Sequence, residues 1–229
     1  MLTAAVAAPL RTEPVLWLDP RGGLRLNGEM IRGRFSPGAS PVRTPLGMGL
    51  DLSGRRSGLL LPDRAELTFP DSLTISTWVY PRRYAANGWQ AQIVFRGDDR
   101  AEFDGYSLCL QSGGTVRFRR DGVDGVPTTL ETELPVKRWT HVTASYDGET
   151  GEIRLWIGDR LNATRTTDRR VFARLDGVYA PGVGIGNVQN DRGPHNQPLD
   201  GMIVDLRLYD RPLDPAEAGY RPGLDRGGA

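Results

Sequence analysis

Thr140-His-Val-Thr-Ala-Ser-Tyr146-Asp-Gly-Glu-Thr-Gly151-Glu-Ile-Arg-Leu-Trp-Ile157-Gly-Asp159-Arg-Leu-Asn-Ala-Thr-Arg-Thr166 reads as three strands joined by two turns. Val142, Ala144 and Tyr146 alternate with His141, Thr143 and Ser145. That is the period of a half-buried strand, so the first set is expected to face a core and the second to face out. Between Tyr146 and Ile153, Gly148 and Gly151 can supply the positive φ of a hairpin loop. Only Gly158 and Asp159 separate the next two runs, and Gly in the first position predicts a type II′ turn. The two hairpins set the register of three consecutive antiparallel strands.

Outward from this stretch the same pattern repeats. Short β-branched or aromatic runs recur at Val15–Leu18, Gly49–Leu52, Gly58–Leu61, Leu73–Tyr80, Gln92–Arg96, Tyr106–Gln111, Thr115–Arg119, Gly182–Gly186 and Met202–Tyr209, separated by Gly, Asp, Asn or Pro. Such spacing predicts an all-β, two-sheet antiparallel sandwich of about 12–14 strands. One short C-terminal helical turn is expected from Asp214-Pro215-Ala216-Glu217, which offers an N-cap acid, Pro at N1 and Glu at N3. A single domain over 14–217 is expected, with the Gly-, Pro- and Arg-rich residues 20–48 as a long loop and 218–229 as a tail.

Composition excludes several classes of function. With 229 residues, 38% hydrophobic and 25% charged, the chain can fold around its own core. A net charge of +1 gives no field to gather nucleic acid. No run approaches the ~18 apolar residues of a membrane span, so no membrane insertion is expected. Cys109 is the only cysteine, which excludes an intramolecular disulfide and leaves no cysteine-based zinc site. Residues 1–13 read either as disordered or as a signal remnant: Ala5-Val6-Ala7 has the small-x-small form of a cleavage site, without a basic n-region before it. Oligomeric state is left open.

Leu73-Thr-Ile-Ser-Thr-Trp78-Val-Tyr-Pro81, Gly105-Tyr-Ser-Leu108, Trp139-Thr-His-Val142, Tyr146-Asp-Gly148, Leu155-Trp-Ile157 and Arg207-Leu-Tyr209 resemble, in order and spacing, the successive strands of bacterial laminin G-like (concanavalin A-like) jelly-roll domains. The resemblance covers about residues 47–217, with Val15–Asp19 similar to the upstream first strand of such domains. It implies a jelly roll, secreted or at the cell surface, and an occasional calcium ion near the last strand. Where those domains often place two acids there, this chain has Val204 and Asp205.

Candidate chemistry gathers in the connections. Tyr84, Asn87, Trp89 and Gln90 lie between two strands, where an aromatic ring can stack on a sugar face while amides bond its hydroxyls. Asn190, His195 and Asn196 belong to a second polar loop of the same character. Calcium is the cofactor the acids admit, through Asp19 with Asp205 or through Asp98, Asp99, Glu102 and Asp104, because hard cations take several oxygen ligands. Glu102-Phe103-Asp104 also has the two-apart spacing of glycosidase carboxylates, but Ser107 stands where a third acid would follow. The expected function is therefore a non-catalytic recognition module for a glycan or surface protein, acting through the loops 82–90, 97–105 and 187–198. A structural or adhesive accessory domain is the alternative, and a glycoside hydrolase comes third.

Overall fold

The computed structural model describes residues 13–85, 90–98, 100, 103–168, 170–189 and 196–224. In chain order the strands are β1 (Leu16–Leu18), β2 (Leu24–Leu26), β3 (Glu29–Ile31), β4 (Arg34–Phe35), β5 (Ala39–Thr44), β6 (Gly47–Ser53), β7 (Leu59–Pro62), β8 (Leu73–Pro81) and β9 (Gln90–Gly97). They continue with β10 (Tyr106–Gln111), β11 (Thr115–Asp121), β12 (Pro127–Glu133), β13 (Thr140–Tyr146), β14 (Glu152–Ile157), β15 (Arg160–Thr166), β16 (Gly182–Ile185) and β17 (Asp200–Tyr209). One sheet runs β15-β14-β13-β8-β17-β1-β2-β3, with β6 also on β17 and β5 on β6; the other runs β12-β11-β10-β9-β16-β7-β4. Every strand pair is antiparallel, and the sandwich expected from the alternating pattern is what forms.

Among the described residues the strands exceed the expected number, and the excess has two sources. Residues 20–48, read as a long loop, carry β2, β3, β4 and β5, each short and paired to a neighbour. The polar run Pro127–Glu133, which shows only Leu130 to a core, forms the edge strand β12 along the whole of β11.

Both hairpins of the deciding stretch close. Gly158 takes φ +61° while Asp159 stays out of the left-handed region, as a type II′ turn requires. Gly151 takes φ +70°. Gly148 does not; it is needed because the Asp71 carbonyl oxygen lies 1.8 Å from where a Cβ would stand.

Val142, Ala144 and Tyr146 do face the main core. The opposite face of β13 does not meet solvent: His141, Thr143 and Ser145 are buried as well. Tyr220 covers His141, its ring 5.0 Å from the imidazole and 6.0 Å from Trp78. His141 shares hydrogen bonds with Ser76 Oγ (3.1 Å) and Thr143 Oγ1 (3.4 Å). Burial, helped by the like charge of Arg207, pushes this imidazole down to about 3.

The expected helical turn forms as one turn, closed by Ala218 N–H donating to Asp214 O at 2.9 Å and capped reciprocally by Asp214 and Glu217. The expected tail from 218 is docked instead at its start, because Ala218 and Tyr220 bury their side chains against β8 and β17.

β17 carries a bulge between Val204 and Arg207. Asp205 sits there at φ +54°, in the left-handed region that Asp tolerates better than most residues. The extra residue shifts the alternation, so Ile203, Leu206 and Leu208 all reach the core. No helix among the described residues is long and apolar enough to cross a membrane.

Truncating Tyr146 or Trp139 to Ala is expected to cost on the order of 3–5 kcal/mol each, since both are large side chains under 10% exposed in packed clusters. Chemical denaturation measures this, and a loss below about 1 kcal/mol would contradict the assigned core faces.

Candidate functional site

Two connections meet at one rim of the sandwich. The chain leaves β8 at Pro81 and returns at Gln90, while the connection from β16 re-enters the first sheet at Asp200. Because β8 pairs with β17 and β9 pairs with β16, these connections are held side by side. Arg82 N–H donates to Asp200 O (2.9 Å), and Gln92 N–H donates to Gln197 O (2.9 Å).

The cleft between them has a volume of about 310 Å³ and is lined by Arg83, Tyr84, Gln90, Asn196, Gln197 and Asp200, among others. That is near the lower end of small-molecule sites, roughly 300–1,000 Å³, and of a size for one or two sugar rings. The half-buried Tyr84 ring rests on Gly114, where a Cβ would stand 3.3 Å from Tyr84 Cζ.

Amides are fixed around the ring by each other. Gln92 Nε2 donates to Gln197 Oε1 (2.7 Å) and to Gln90 Oε1 (3.3 Å), and Asn187 Nδ2 donates to Asn196 Oδ1 (2.6 Å). The base of this network is fully buried at Asn187, whose Oδ1 accepts from the backbone of Val188 and Gln197. Asp200 accepts from Arg83 (2.7 Å) and Arg82 (3.3 Å), and Arg82 also binds Asp51. Burial works against the Arg82 charge, but Asp51 and Asp200 outweigh it and raise its pKa. The result is a preorganised wall of amide, carboxylate and guanidinium groups beside one aromatic ring.

Of the expected ligand residues, Tyr84, Gln90 and Asn196 are brought together here. Asn87, Trp89, Asn190 and His195 lie outside the described residues. Arg83, Gln197 and Asp200 were not singled out from the sequence. Their only signal was the Arg82-Arg83 doublet at a strand end, and its acidic partner lies more than a hundred positions away.

No described residue of the third expected loop, 97–105, lines this cleft. Asp98 is buried and accepts from Arg100 and from the Asp176 amide, while the Arg100 guanidinium lies 5.1 Å from the Phe103 ring and 5.7 Å from Phe172 and Tyr179. Burial raises the Asp98 carboxyl, but these donors outweigh it and hold it below its ordinary value. A further, wider groove of about 760 Å³ lies elsewhere, lined by Tyr146, Thr150, Thr167, Asp71, Glu149 and Asp168 among others. Its aromatic contribution is the edge of a core side chain.

The residues near the last strand do not fit a calcium ion. Asp205 accepts from Trp17 Nε1 (2.6 Å) and from Arg207 Nε and Nη2 (2.8 Å each), and its neighbour Val204 packs in an apolar cluster with Trp78. Asp19 accepts from Arg21 and Arg25, whose bonds overcome the upward push of burial and lower its pKa. Among the described residues no group of three or more His, Cys, Asp or Glu side chains is placed to hold a metal. Of the alternative acids, Asp99 and Glu102 lie outside the described residues, while Asp98 is bound by Arg100 as above. Adding calcium or chelator is expected to move the melting temperature by less than about 1 °C. A rise of several degrees that Asp205→Asn abolishes would show that the cation displaces Arg207.

Asp104 completes the account of the acids. Burial pushes its carboxyl up to about 7, against the pull of Arg119 and with the repulsion of Asp121 and Asp98. Below that value and above about 3.9 the folded chain keeps a proton that the unfolded chain has lost, so Asp104 makes stability fall as pH rises. His141 acts oppositely: between about 3 and 6.5 only the unfolded chain binds its proton, so stability rises with pH. Over roughly pH 4–6.5 the two effects cancel. Asp104→Asn is expected to gain about 1–3 kcal/mol over wild type at pH 8, with the gain vanishing towards pH 4, in denaturation at several pH values. A difference that does not change with pH would contradict the assignment.

A family model described as the concanavalin A-like lectin/glucanases superfamily matches residues 53–219. No curated protein matches the sequence. The binding domain of Paraclostridial Mosquitocidal Protein 1 superposes with a TM-score of 0.66 at 14% identity, covering 90% of this chain and 51% of that one. The binding domain of Botulinum neurotoxin DC, solved in complex with rat synaptotagmin II, gives 0.66 and 14%, with 90% and 50% covered. The chain thus spans about half the length of these toxin binding domains. The CBM40 of a Ruminococcus gnavus IT-sialidase, solved with alpha2,3 sialyllactose bound, gives 0.58 and 16%, with 74% of this chain and 94% of that one covered. At such identities the likeness establishes a shared fold, and the family match over residues 53–219 settles the rest: the chain belongs to the concanavalin A-like lectin/glucanases superfamily.

Proposed function

We propose that the protein is a non-catalytic recognition module, secreted or displayed at the cell surface, that binds a carbohydrate in the rim cleft. The observation that carries this reading is the convergence of Tyr84, Gln90 and Asn196 from two distant connections onto one cleft of sugar size. An aromatic ring with fixed amides and an Asp–Arg pair matches what a pyranose presents: an apolar face ringed by hydroxyls that both donate and accept. Asn87, Trp89, Asn190 and His195 fall in the same two stretches of sequence, and we assign them to the same site.

Two further facts support the reading. The family is that of lectins and glucanases, and the Ruminococcus gnavus module of the same fold was solved with a bound sialyllactose. Against catalysis stands Asp104, the described member of the carboxylate pair, which faces Arg119 at 3.8 Å and does not line the cleft. A general acid must reach the glycosidic oxygen.

A glycan array with wild type beside Tyr84→Ala and Asn196→Ala tests this. Wild type is expected to bind a defined set of glycans, with each variant at least about tenfold weaker, near 1.4 kcal/mol. The melting temperature of Tyr84→Ala is expected to stay within about 3 °C, since the side chain is only half-buried, while Asn196→Ala falls further because it removes the acceptor of the buried Asn187 amide. Wild type that binds no glycan but docks a protein or self-associates would overturn the carbohydrate reading, and release of reducing sugar would overturn the non-catalytic one.

A further inference from the structure

Arg120 is an arginine inside the core. On β11 the alternation turns Val116, Phe118 and Arg120 inward, while Arg119 and Asp121 pair on the outside at 2.5 and 2.7 Å. The Arg120 side chain is under 2% exposed. Its Nη2 donates to the Phe69 carbonyl at 2.8 Å, and its guanidinium carbon lies 5.0 Å from the Tyr146 ring centroid. Nε and Nη1 find no acceptor among the described residues. No carboxylate among them pairs with it: Asp121 is taken by Arg119 and the Asp104 amide, and Asp63 by Arg96.

A buried charge left uncompensated costs several kcal/mol, and native structures avoid it by pairing. Burial, partly offset by Tyr146 and Tyr106 and reinforced by the like charge of Arg96, pulls the Arg120 guanidinium down to about 10, so it stays charged at neutral pH. Beside it lies a small chamber of about 10 Å³, lined by Arg120, Asp121, Thr128, Tyr146, Thr167 and Val171 among others; the Asp121 carboxylate is held by Arg119. That is about the volume one water-sized species occupies.

We propose that this chamber is a binding site for one small monovalent anion of the halide class, held by the orphan donors of Arg120. A water molecule would satisfy the two N–H groups, and its own hydrogens could go to the Thr128 and Thr167 hydroxyls, but it would leave the positive charge uncompensated. An anion accepts from both donors and neutralises the charge. The segment that brings Val171 to the chamber is fixed at the end of β11 and just beyond it, by Phe172 N–H donating to Asp121 O (2.7 Å) and Val123 N–H to Arg170 O (2.9 Å). Tyr146, Thr167 and Val171 also form part of the wall of the 760 Å³ groove, so the ion stiffens that wall from beneath. This site is independent of the rim cleft.

The test is thermal melting of the whole chain at constant ionic strength, with chloride replaced stepwise by gluconate. Wild type is expected to melt about 4 °C higher for each tenfold rise in chloride, and Arg120→Met, an apolar replacement of similar length, to show no dependence. Should Arg120→Met fail to fold, crystals of wild type soaked in bromide decide: an anomalous peak beside Nε and Nη1 supports the site. No chloride dependence in wild type, equal dependence in both proteins, or a chamber holding water with no bromide peak would each overturn it.

Discussion

At Asp205 the backbone of β17 enters the left-handed region, and both halves of the longest strand take their partners from that point. Before it, Asp200–Val204 pair with β6; after it, Arg207 and Leu208 pair with β1, while β8 runs along the other side throughout. A regular strand could not do this, because without the extra residue either Ile203 or Leu206 and Leu208 would point away from the core. The bulge is held by its own side chain, through Trp17 Nε1 and the Arg207 fork, with the Trp17 ring lying between Arg207 and Arg21 at 5.1 and 5.2 Å. The residue that the family pattern marks for calcium thus has a structural task here. An arginine supplies the positive charge that the Asp205 carboxylate faces, at a position fixed by the strand itself.

The same strand sets the rim cleft. Because β17 begins at Asp200, directly after the polar connection, its first residue lies at the lip of the cleft, paired to Arg82 and Arg83 from the end of β8. Displacing the register by one residue would turn Asp200 to the other face of the sheet and leave Arg83 exposed without its acid. The cleft is therefore built on the ends of two central strands, with the connections supplying Tyr84, Gln90 and Asn196 on top of a rigid base. Fixed amides lose little freedom when a ligand arrives, which suits recognition of weakly distinctive hydroxyl groups.

Strands that alternate over six or more residues, such as β8, β13 and β17, are legible because their own side chains carry the period. The strands in 20–48 are not. β4 has two residues and β2 three, too few to show a period, and they exist because β7 and β1 offer backbone partners. Tyr220 reads as part of a Gly- and Pro-rich tail, yet it supplies the cover over His141 and Trp78; nothing local marks an aromatic that docks on a distant strand. In the site, residue type pointed to Tyr84, Gln90 and Asn196, whereas Arg83 and Asp200 depend on a pairing across the sheet. The loop 97–105 misled for the opposite reason. Its density of acids reads as a ligand or cation site, but Arg100 takes the buried Asp98 carboxylate and lies against the Phe172 and Tyr179 rings.

His141 and Arg120 show how a buried polar side chain declares its role. Both sit inside, both are shifted by burial, and the sequence distinguishes neither from its neighbours on the strand. His141 is neutral, bonded at both ring nitrogens by hydroxyls from β8 and β13, and sandwiched between aromatic rings, so every demand it makes is met within the protein. Arg120 cannot shed its charge, and the fold surrounds it with one carbonyl, aromatic faces and a void. Evolution could relieve that cost at once with a leucine or methionine, since apolar replacements of buried ions often stabilise. With Nε and Nη1 unpaired beside the chamber, Arg120 is the buried group whose demands the protein's own described side chains leave unmet.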